Sequence, residues 1–221
     1  EEAMDCTAFL VPGARAADGH ALFGQTWDMH ETATEHVLVL RGAPADAPAF
    51  VAFTTLGCVG MIGMNEHGVG VGINNLSAGD GAVGVTWPFV VRKALQQRDL
   101  DAALRCVTEA RLAGAHNYLL LDAAGRGANV EATTRRVAVT ELHGDPLVHT
   151  NHCVAPHTRA VERPRDPAAV ASSDRRLARG LELLDRRGLG PEDLMAVTRD
   201  PDAICYRGAP PRHVATCGAV V

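Results

Sequence analysis

The sequence has no apolar run near the roughly 18 residues that cross a bilayer, no block of basic residues, no repeated cysteine spacing and no internal repeat. Each absence closes off a class. A membrane span is not expected, and the opening Glu-Glu is the reverse of a signal peptide's basic start. Acids and bases are mixed along the chain at a net charge of -5, so nothing resembles the footprint of a nucleic-acid binder. The six cysteines (Cys6, Cys58, Cys106, Cys153, Cys205, Cys217) are scattered through a chain too large to depend on staples, which favours a reduced, cytoplasmic setting. What is present is 221 residues at 47% apolar, enough for the core of one domain, with no linker that splits it. The absent initiator Met and the apolar ending CGAVV read as the ends of a piece of a longer translation product, cut at both sides.

The first half alternates short β-type runs with glycine-rich turns: CTAFLV, ALFGQTWDM, HVLVLRG, AFVAFTT, GMIGMN and GVGVGINN. These predict one sheet. PFVVRKALQQ, and Leu100, Leu104 and Val107 after Asp99, then take helical spacing. NYLLLDA, GANVEAT, RVAVTEL and LVHTNHC restore strand periodicity and predict a second sheet. Ser172-Ser173-Asp174 can cap a helix striped by Leu177, Leu181 and Leu184, Pro191 opens another, and VATCGAVV is a last strand. The stretch APHTRAVERPRDPAAVA reads as one long surface loop. Two sheets covered by helices, an α+β architecture, follow.

Cys6 sits at the start of a strand, where a cysteine is either a small core hydrophobe or a nucleophile. The loop PGARAADGH invites a hairpin that would bring Cys6 opposite a residue from about 26 to about 31, and so bring Asp28 within reach across the pair. Asp28 alone reads as a strand-end or turn carboxylate. A thiol with a pKa of about 8.5 needs a base, and no histidine adjoins Cys6. Breaking the Asp5–Cys6 bond would create an α-amine of pKa about 7.7 to 8.0, which could take the thiol proton. Such a nucleophile needs a partner to orient the amine, for which Asp28 suffices, and donors for an oxyanion.

Cys6-Thr7-Ala8, Gln25-Thr26-Trp27-Asp28, the glycine-rich segment from Gly57 to Leu76 and His149-Thr150-Asn151-His152-Cys153 resemble the penicillin acyltransferase (acyl-CoA:6-aminopenicillanic acid acyltransferase) family of N-terminal nucleophile (Ntn) hydrolases. The choloylglycine hydrolases are more distantly similar. The resemblance implies an αββα four-layer sandwich of two mainly antiparallel sheets, made as a precursor and cut in front of the cysteine. Residues 1–5 would then be a propeptide remnant and 6–221 the nucleophile-bearing piece. It implies Cys6 as nucleophile and self-cleavage residue, Asp28 as orienter of the amine, Asn151 as oxyanion donor and Asn75, or its neighbour Asn74, at the second oxyanion position. Where the family pattern has a glycine, this sequence has Asp5, whose bulk and charge would slow attack on the carbonyl before Cys6. An arginine ahead of the last strand falls on Arg212 or His213, and Arg212 is taken here.

Other motifs compete. His149, His152, Cys153 and His157 carry zinc-ligand chemistry, but on a strand His149 and His152 face opposite ways and His149 and Cys153 are roughly 13 Å apart, so no metal is expected. The same alternation would place His149, Asn151 and Cys153 on one face, with Asn151 open to a structural reading as a strand-end amide. GVGVGINNL is not followed by a Lys-Ser or Lys-Thr helix start, which favours close-packed strands over a phosphate loop. Glu131 reads as structural, paired with an arginine such as Arg175. The sequence thus predicts a cofactor-free enzyme that takes an acyl group from a small-molecule amide or acyl-CoA thioester to water or an amine, with its own propeptide as a further partner. The alternative is an uncleaved, non-catalytic Ntn-fold protein that binds a hydrophobic ligand or partner without turnover.

Overall fold

A computed structural model of the protein describes residues 5–221; the first four residues of the expected propeptide remnant lie outside them. Eleven strands and five helices alternate in the order β1 (Asp5–Val11), β2 (Leu22–His30), β3 (Val37–Gly42), β4 (Phe50–Thr55), β5 (Ile62–Asn65), β6 (Gly70–Asn75), α1 (Trp87–Ala94), α2 (Leu100–Thr108), β7 (His116–Leu121), β8 (Gly127–Ala132), β9 (Val137–Glu141), β10 (Leu147–His149), α3 (Pro156–Arg159), α4 (Pro167–Leu184), α5 (Pro191–Thr198) and β11 (Val214–Val220). A four-stranded sheet has the order β10-β1-β2-β11, and a seven-stranded sheet runs β3 to β9 in chain order. Every pairing between these strands is antiparallel.

The division of strands differs from the one expected. β7, β8 and β9 extend the sheet begun by β3 to β6, and β1 and β2 leave that sheet to pair with β10 and β11 from the end of the chain. Local periodicity reports that a segment is a strand; its neighbour is chosen by long-range contacts the pattern does not encode. The helices lie outside. Val90, Val91, Ala103 and Val107 of α1 and α2 pack on Val71, Tyr118, Leu120 and Val130 of the large sheet. Leu184, Leu194 and Val197 of α4 and α5 pack on Phe9 and Val11 of β1. Between the sheets, Ala8 and Leu10 meet Leu119. These contacts make the four layers αββα.

α4 begins earlier than expected, because Asp166 caps it through a 2.7 Å bond from the Ala168 amide and Pro167 occupies its first turn. Ser172 and Ser173 are therefore interior, and α3 and the start of α4 occupy much of the expected loop. The buried stripe of α4 is Ala169, Ser172, Ser173, Arg176, Gly180 and Leu184, whereas Leu181, expected on the stripe, is 46% exposed. β10 stops at His149, so Asn151 and Cys153 lie beyond the strand and the alternation assigned to them does not hold. Among the described residues no helix is long and apolar enough to cross a membrane.

One irregularity positions the site. β5 and β6 pair only at Gly63–Val71 and Met64–Gly70, and past that point β6 runs on to Asn75 without β5. The Gln25 side chain stands in for the missing strand: its Oε1 accepts from the Ile73 amide at 2.9 Å and its Nε2 donates to the Ile73 carbonyl. A gap in a sheet interior is thereby satisfied without closing it.

Candidate active site

Alternation along β1 decides where Cys6 points. Phe9 and Val11 face the α4–α5 layer, while Ala8 and Leu10 face the other sheet, so Cys6 turns toward the other sheet and Asp5 and Thr7 turn toward α4. Cys6 lies opposite Trp27 and Asp5 opposite Asp28, within the range the hairpin predicted. The sulfur enters the gap beside β6, in a cleft lined by Cys6, Trp27, Met61, Ile62, Ile73, Asn75, Trp87 and His116. The cavity is about 20 Å³, near the room one water needs.

β10 ends where Cys6 would need a ladder partner, and side chains take its place. The Cys6 amide donates to Asn151 Oδ1 at 2.8 Å, and the Cys6 carbonyl accepts from Asn74 Nδ2 at 3.2 Å and from Arg176 at 2.5 Å. Arg176, fully buried, also reaches Thr7 Oγ1 at 3.2 Å, Asn151 Oδ1 at 3.0 Å and Asp5 Oδ1 at 3.1 Å. Asn151 Nδ2 donates to the Asn75 carbonyl at 3.1 Å.

Burial, with the Asp28 charge second, pushes the Cys6 thiol well above its ordinary range. Burial likewise pushes Asp28 up to about 8, although Thr216 Oγ1 donates to Asp28 Oδ1 at 2.6 Å. A dry, acid-flanked thiol keeps its proton while the chain preceding it is attached.

The loop carrying Asn151 is clamped by Glu131, which is structural as expected but paired with His149 in place of Arg175. β8 turns Glu131 inward toward β10, whereas Arg175 lies on the far side of the small sheet, in the groove beside α4. Glu131 Oε1 takes bonds from His149 Nε2 at 2.8 Å and the Val154 amide at 2.6 Å; Oε2 takes the Ala155 amide at 3.2 Å and the Thr158 hydroxyl. His149 Nδ1 lies 2.9 Å from the Thr150 carbonyl, so the ring is held at both nitrogens. Burial alone would raise Glu131; the bonds from His149, Thr158 and Val154 outweigh it and hold the carboxylate below its usual range. Of the other members of the metal-ligand motif, His152 Nδ1 lies 2.8 Å from Ser173 Oγ, and the Cys153 thiol is pushed up to about 12, chiefly by burial. No group of three or more His, Cys, Asp or Glu among the described residues is placed to hold a metal ion.

The structure brings Cys6, Asp28 and Asn151 together and separates the two asparagines of β6. The Asn74 side chain faces the Cys6 carbonyl, and Asn75 lines the cleft that holds the sulfur. It does not bring Arg212 to the cysteine: that side chain is 47% exposed and its ion pair is with Asp166 at 3.7 Å, while His213 pairs with Glu31 at 2.8 Å. The guanidinium at Cys6 belongs to Arg176. Sequence reasoning passed over it because a helix stripe is sought among leucines; the small residues at 169, 172, 173 and 180 mark the buried face on which Arg176 falls.

A family model described as acyl-coenzyme A:6-aminopenicillanic acid acyl-transferase matches residues 15–208. The chain belongs to this family. Family and fold are those of Ntn-type amide hydrolases and acyltransferases. Among solved structures, the chain is similar to an N-acylethanolamine-hydrolyzing acid amidase ortholog from Caenorhabditis elegans, with a TM-score of 0.64 and 14% identity over 96% of this chain and 93% of that one. It is also similar to two variants of conjugated bile acid hydrolase from Clostridium perfringens. Their TM-scores are 0.61 and 0.62, at 12% and 13% identity, over 93% and 92% of this chain and 80% of each of theirs. These likenesses carry the αββα fold. No curated protein matches in sequence. The family match begins after β1, so the place of Cys6 rests on the geometry above.

Proposed function

We propose that the protein is an N-terminal-cysteine acyl-transfer enzyme that activates itself by cutting the Asp5–Cys6 bond and then cleaves a small-molecule amide or acyl-CoA thioester. The observation that carries this reading is the division of labour at Cys6. Its amide and carbonyl are held by Asn151, Asn74 and Arg176, from three remote segments, while its sulfur faces an apolar cleft. In activation, Cys6 Sγ attacks the Asp5 carbonyl carbon, the C–N bond breaks and the nitrogen takes a proton. Water hydrolyses the resulting thioester, releasing residues 1–5 with a new carboxyl group and leaving a free thiol beside an α-amine.

In turnover the α-amine, with a pKa near 7.7 to 8.0, takes the thiol proton, held by Asn151 Oδ1 and oriented by Asp28. The sulfur attacks the substrate carbonyl. The Asn151 amide and a donor at Asn75 receive the oxyanion, and the leaving amine takes its proton from the α-ammonium. Water or an amine then resolves the acyl-enzyme, which makes the protein a hydrolase or an acyltransferase. We place the reaction in the cytoplasm, on six cysteines that form no disulfide. The test is intact-mass measurement of the full-length chain followed by assay on a panel of acyl amides and acyl-CoA thioesters. Scission before Cys6, with both scission and activity lost in Cys6→Ala, is expected. An uncut mass after long incubation, or a Cys6→Ala variant with full amidase activity, rejects the mechanism.

A second reading, an uncut ligand-binding protein, draws on Asp5. Its carboxylate is buried against Arg176, an anchor that resists release of the preceding chain. Ligand binding by a permanently uncut, inactive chain would select it.

A further inference from the structure

The cleft that holds the Cys6 sulfur has a volume of about 20 Å³, near the space of one water, so an acyl chain has to lie elsewhere. The larger opening at this end of β1 is on the α4 side. It is a groove of about 780 Å³, within the range of small-molecule sites, with Asp5, Ser172, Arg175, Tyr206, Arg207 and Arg212 in its lining. Its charge is mostly positive. Arg175 and Arg207 form no ion pair among the described residues, and the acids of the lining are Asp5 and Asp166, of which Asp166 pairs with Arg212. Asp5 joins the groove to a second arginine site. Arg176 is fully buried and lies behind Asp5 and Ser172, with Nη2 3.1 Å from Asp5 Oδ1 and Nε 3.4 Å from Ser172 Oγ.

In activation Cys6 Sγ attacks the Asp5 carbonyl carbon, so the first acyl group the sulfur receives is Asp5 itself, with its side-chain carboxylate on Arg176. That carboxylate carbon is the third carbon beyond the carbonyl carbon. Scission takes it away and leaves Arg176 with uncharged acceptors: the Cys6 carbonyl, Thr7 Oγ1, Asn151 Oδ1 and Ser172 Oγ. Asp28, opposite Asp5 across the strand pair, is pushed up to about 8 by burial and is largely uncharged at neutral pH. A buried cation without a counter-charge is costly, and a carboxylate delivered to it is correspondingly favoured. Resting on the acyl-transfer reading, we propose that Arg176 is the specificity-determining residue of the cleaved enzyme and that the preferred substrate is a succinyl amide, whose carboxylate takes the place left by Asp5. The groove arginines attract the anion. Sγ attacks the succinyl carbonyl carbon, the C–N bond breaks, the amine leaves with a proton from the α-ammonium, and water releases succinate from the thioester. A malonyl group stops one carbon short of Arg176, a glutaryl group runs one carbon past it, and a butanoyl group leaves it unpaired.

The cleaved enzyme should be assayed on butanoyl, malonyl, succinyl and glutaryl amides of one amine. The succinyl amide should have the highest kcat/KM, exceeding the butanoyl amide by ~10-fold or more. Arg176→Lys, which loses the planar fork, should lower the succinyl-to-butanoyl ratio, chiefly by raising KM for the succinyl amide. Arg175→Gln and Arg207→Gln, at exposed positions, should leave the ratio within ~2-fold of the parent. A parent ratio at or below one, or a ratio kept in Arg176→Lys and lost in the groove variants, overturns the proposal. Thermal unfolding of the chain held uncut by Cys6→Ala separates the site from the acyl-transfer reading. Adding Asp5→Gly deletes a group of the size and charge of acetate, so ~50 mM acetate should raise Tm of the double variant by a few degrees over chloride at equal pH and ionic strength, and leave Cys6→Ala unmoved. No rise overturns the role of Arg176. A rise, found together with a parent chain that neither cuts itself nor turns over any amide, overturns the acyl-transfer reading and keeps the carboxylate site.

Discussion

The two sides of Cys6 differ in how they treat polar atoms. On the side facing α4, the amide and carbonyl of Cys6, the Asp5 carboxylate and the Thr7 hydroxyl all have partners, and Arg176 joins most of them. On the side facing the large sheet, the sulfur enters a cleft lined mostly by apolar residues, Trp27, Met61, Ile62, Ile73 and Trp87, with Asn75 and His116 beside them. The contrast separates a polar side that holds the chain in place from an apolar side that leaves the sulfur free of such bonds. Gln25 keeps them distinct, since it satisfies β6 without a strand that would fill the cleft.

If the α4 side is a holding device, breaking it should cost stability. Arg176→Met would strand the Asp5 carboxylate and leave the Cys6 carbonyl and Asn151 Oδ1 short of a donor. We expect a loss of about 3–5 kcal/mol in denaturant unfolding of the uncut chain. Adding Asp5→Leu should recover much of that loss, because the stranded charge goes with it. A loss below about 1 kcal/mol would mean that the network is incidental.

Asp28, between the two sides, tests the same comparison through pH. Its carboxyl is raised to about 8 by burial, against about 3.9 in an unfolded chain. The stability this proton uptake contributes is fully present below pH ~4 and is lost as pH rises through about 8. Asp28→Asn cannot ionise, so it should match the parent near pH 4 and exceed it by a few kcal/mol at pH 8, read from unfolding curves. Scission should slow in the same variant if Asp28 serves the cysteine.

Much of this was legible in the sequence, and what was not shares one cause. Cys6 and Asp28 came from a hairpin, in which a turn fixes who faces whom within a few residues. Asn151 came from a resemblance, yet its setting was misjudged because β10 stops two residues before it, and only the absent partner strand explains why. Arg176, 170 residues from Cys6, has no local signature beyond the small residues around it. The same holds for Glu131, whose partner His149 is 18 residues away on the other sheet, and for the division of strands between sheets. Periodicity and turns encode short-range geometry; the site is assembled from long-range pairings.

The Glu131–His149 clamp is a smaller holding device and should behave as one. Glu131→Gln keeps the shape but loses the charge, and about 1–3 kcal/mol should be lost at neutral pH. The sign with pH is opposite to that of Asp28. A carboxylate held below its usual range contributes stability above the unfolded value, near 4.3, and loses it as pH falls through the folded one. The gap between parent and variant should therefore close in acid. A gap that widened there would mean that the clamp does not draw on the charge of Glu131.

The smallest effect is expected at Arg212, and it decides which arginine serves Cys6. Arg212 and Asp166 are 47% and 64% exposed and 3.7 Å apart, a geometry in which water and salt screen most of the attraction. Arg212→Gln should change stability by under about 1 kcal/mol, with the difference vanishing in high salt. Its scission rate, followed by intact mass, should stay within about twofold of the parent. Arg176→Lys keeps the charge but not the planar fork that spans Asp5, Asn151 and the Cys6 carbonyl, and it should slow scission far more. Were Arg212→Gln the slower of the two, the arginine ahead of the last strand would be the one that serves the cysteine, and the Arg176 network would be reduced to support for β1.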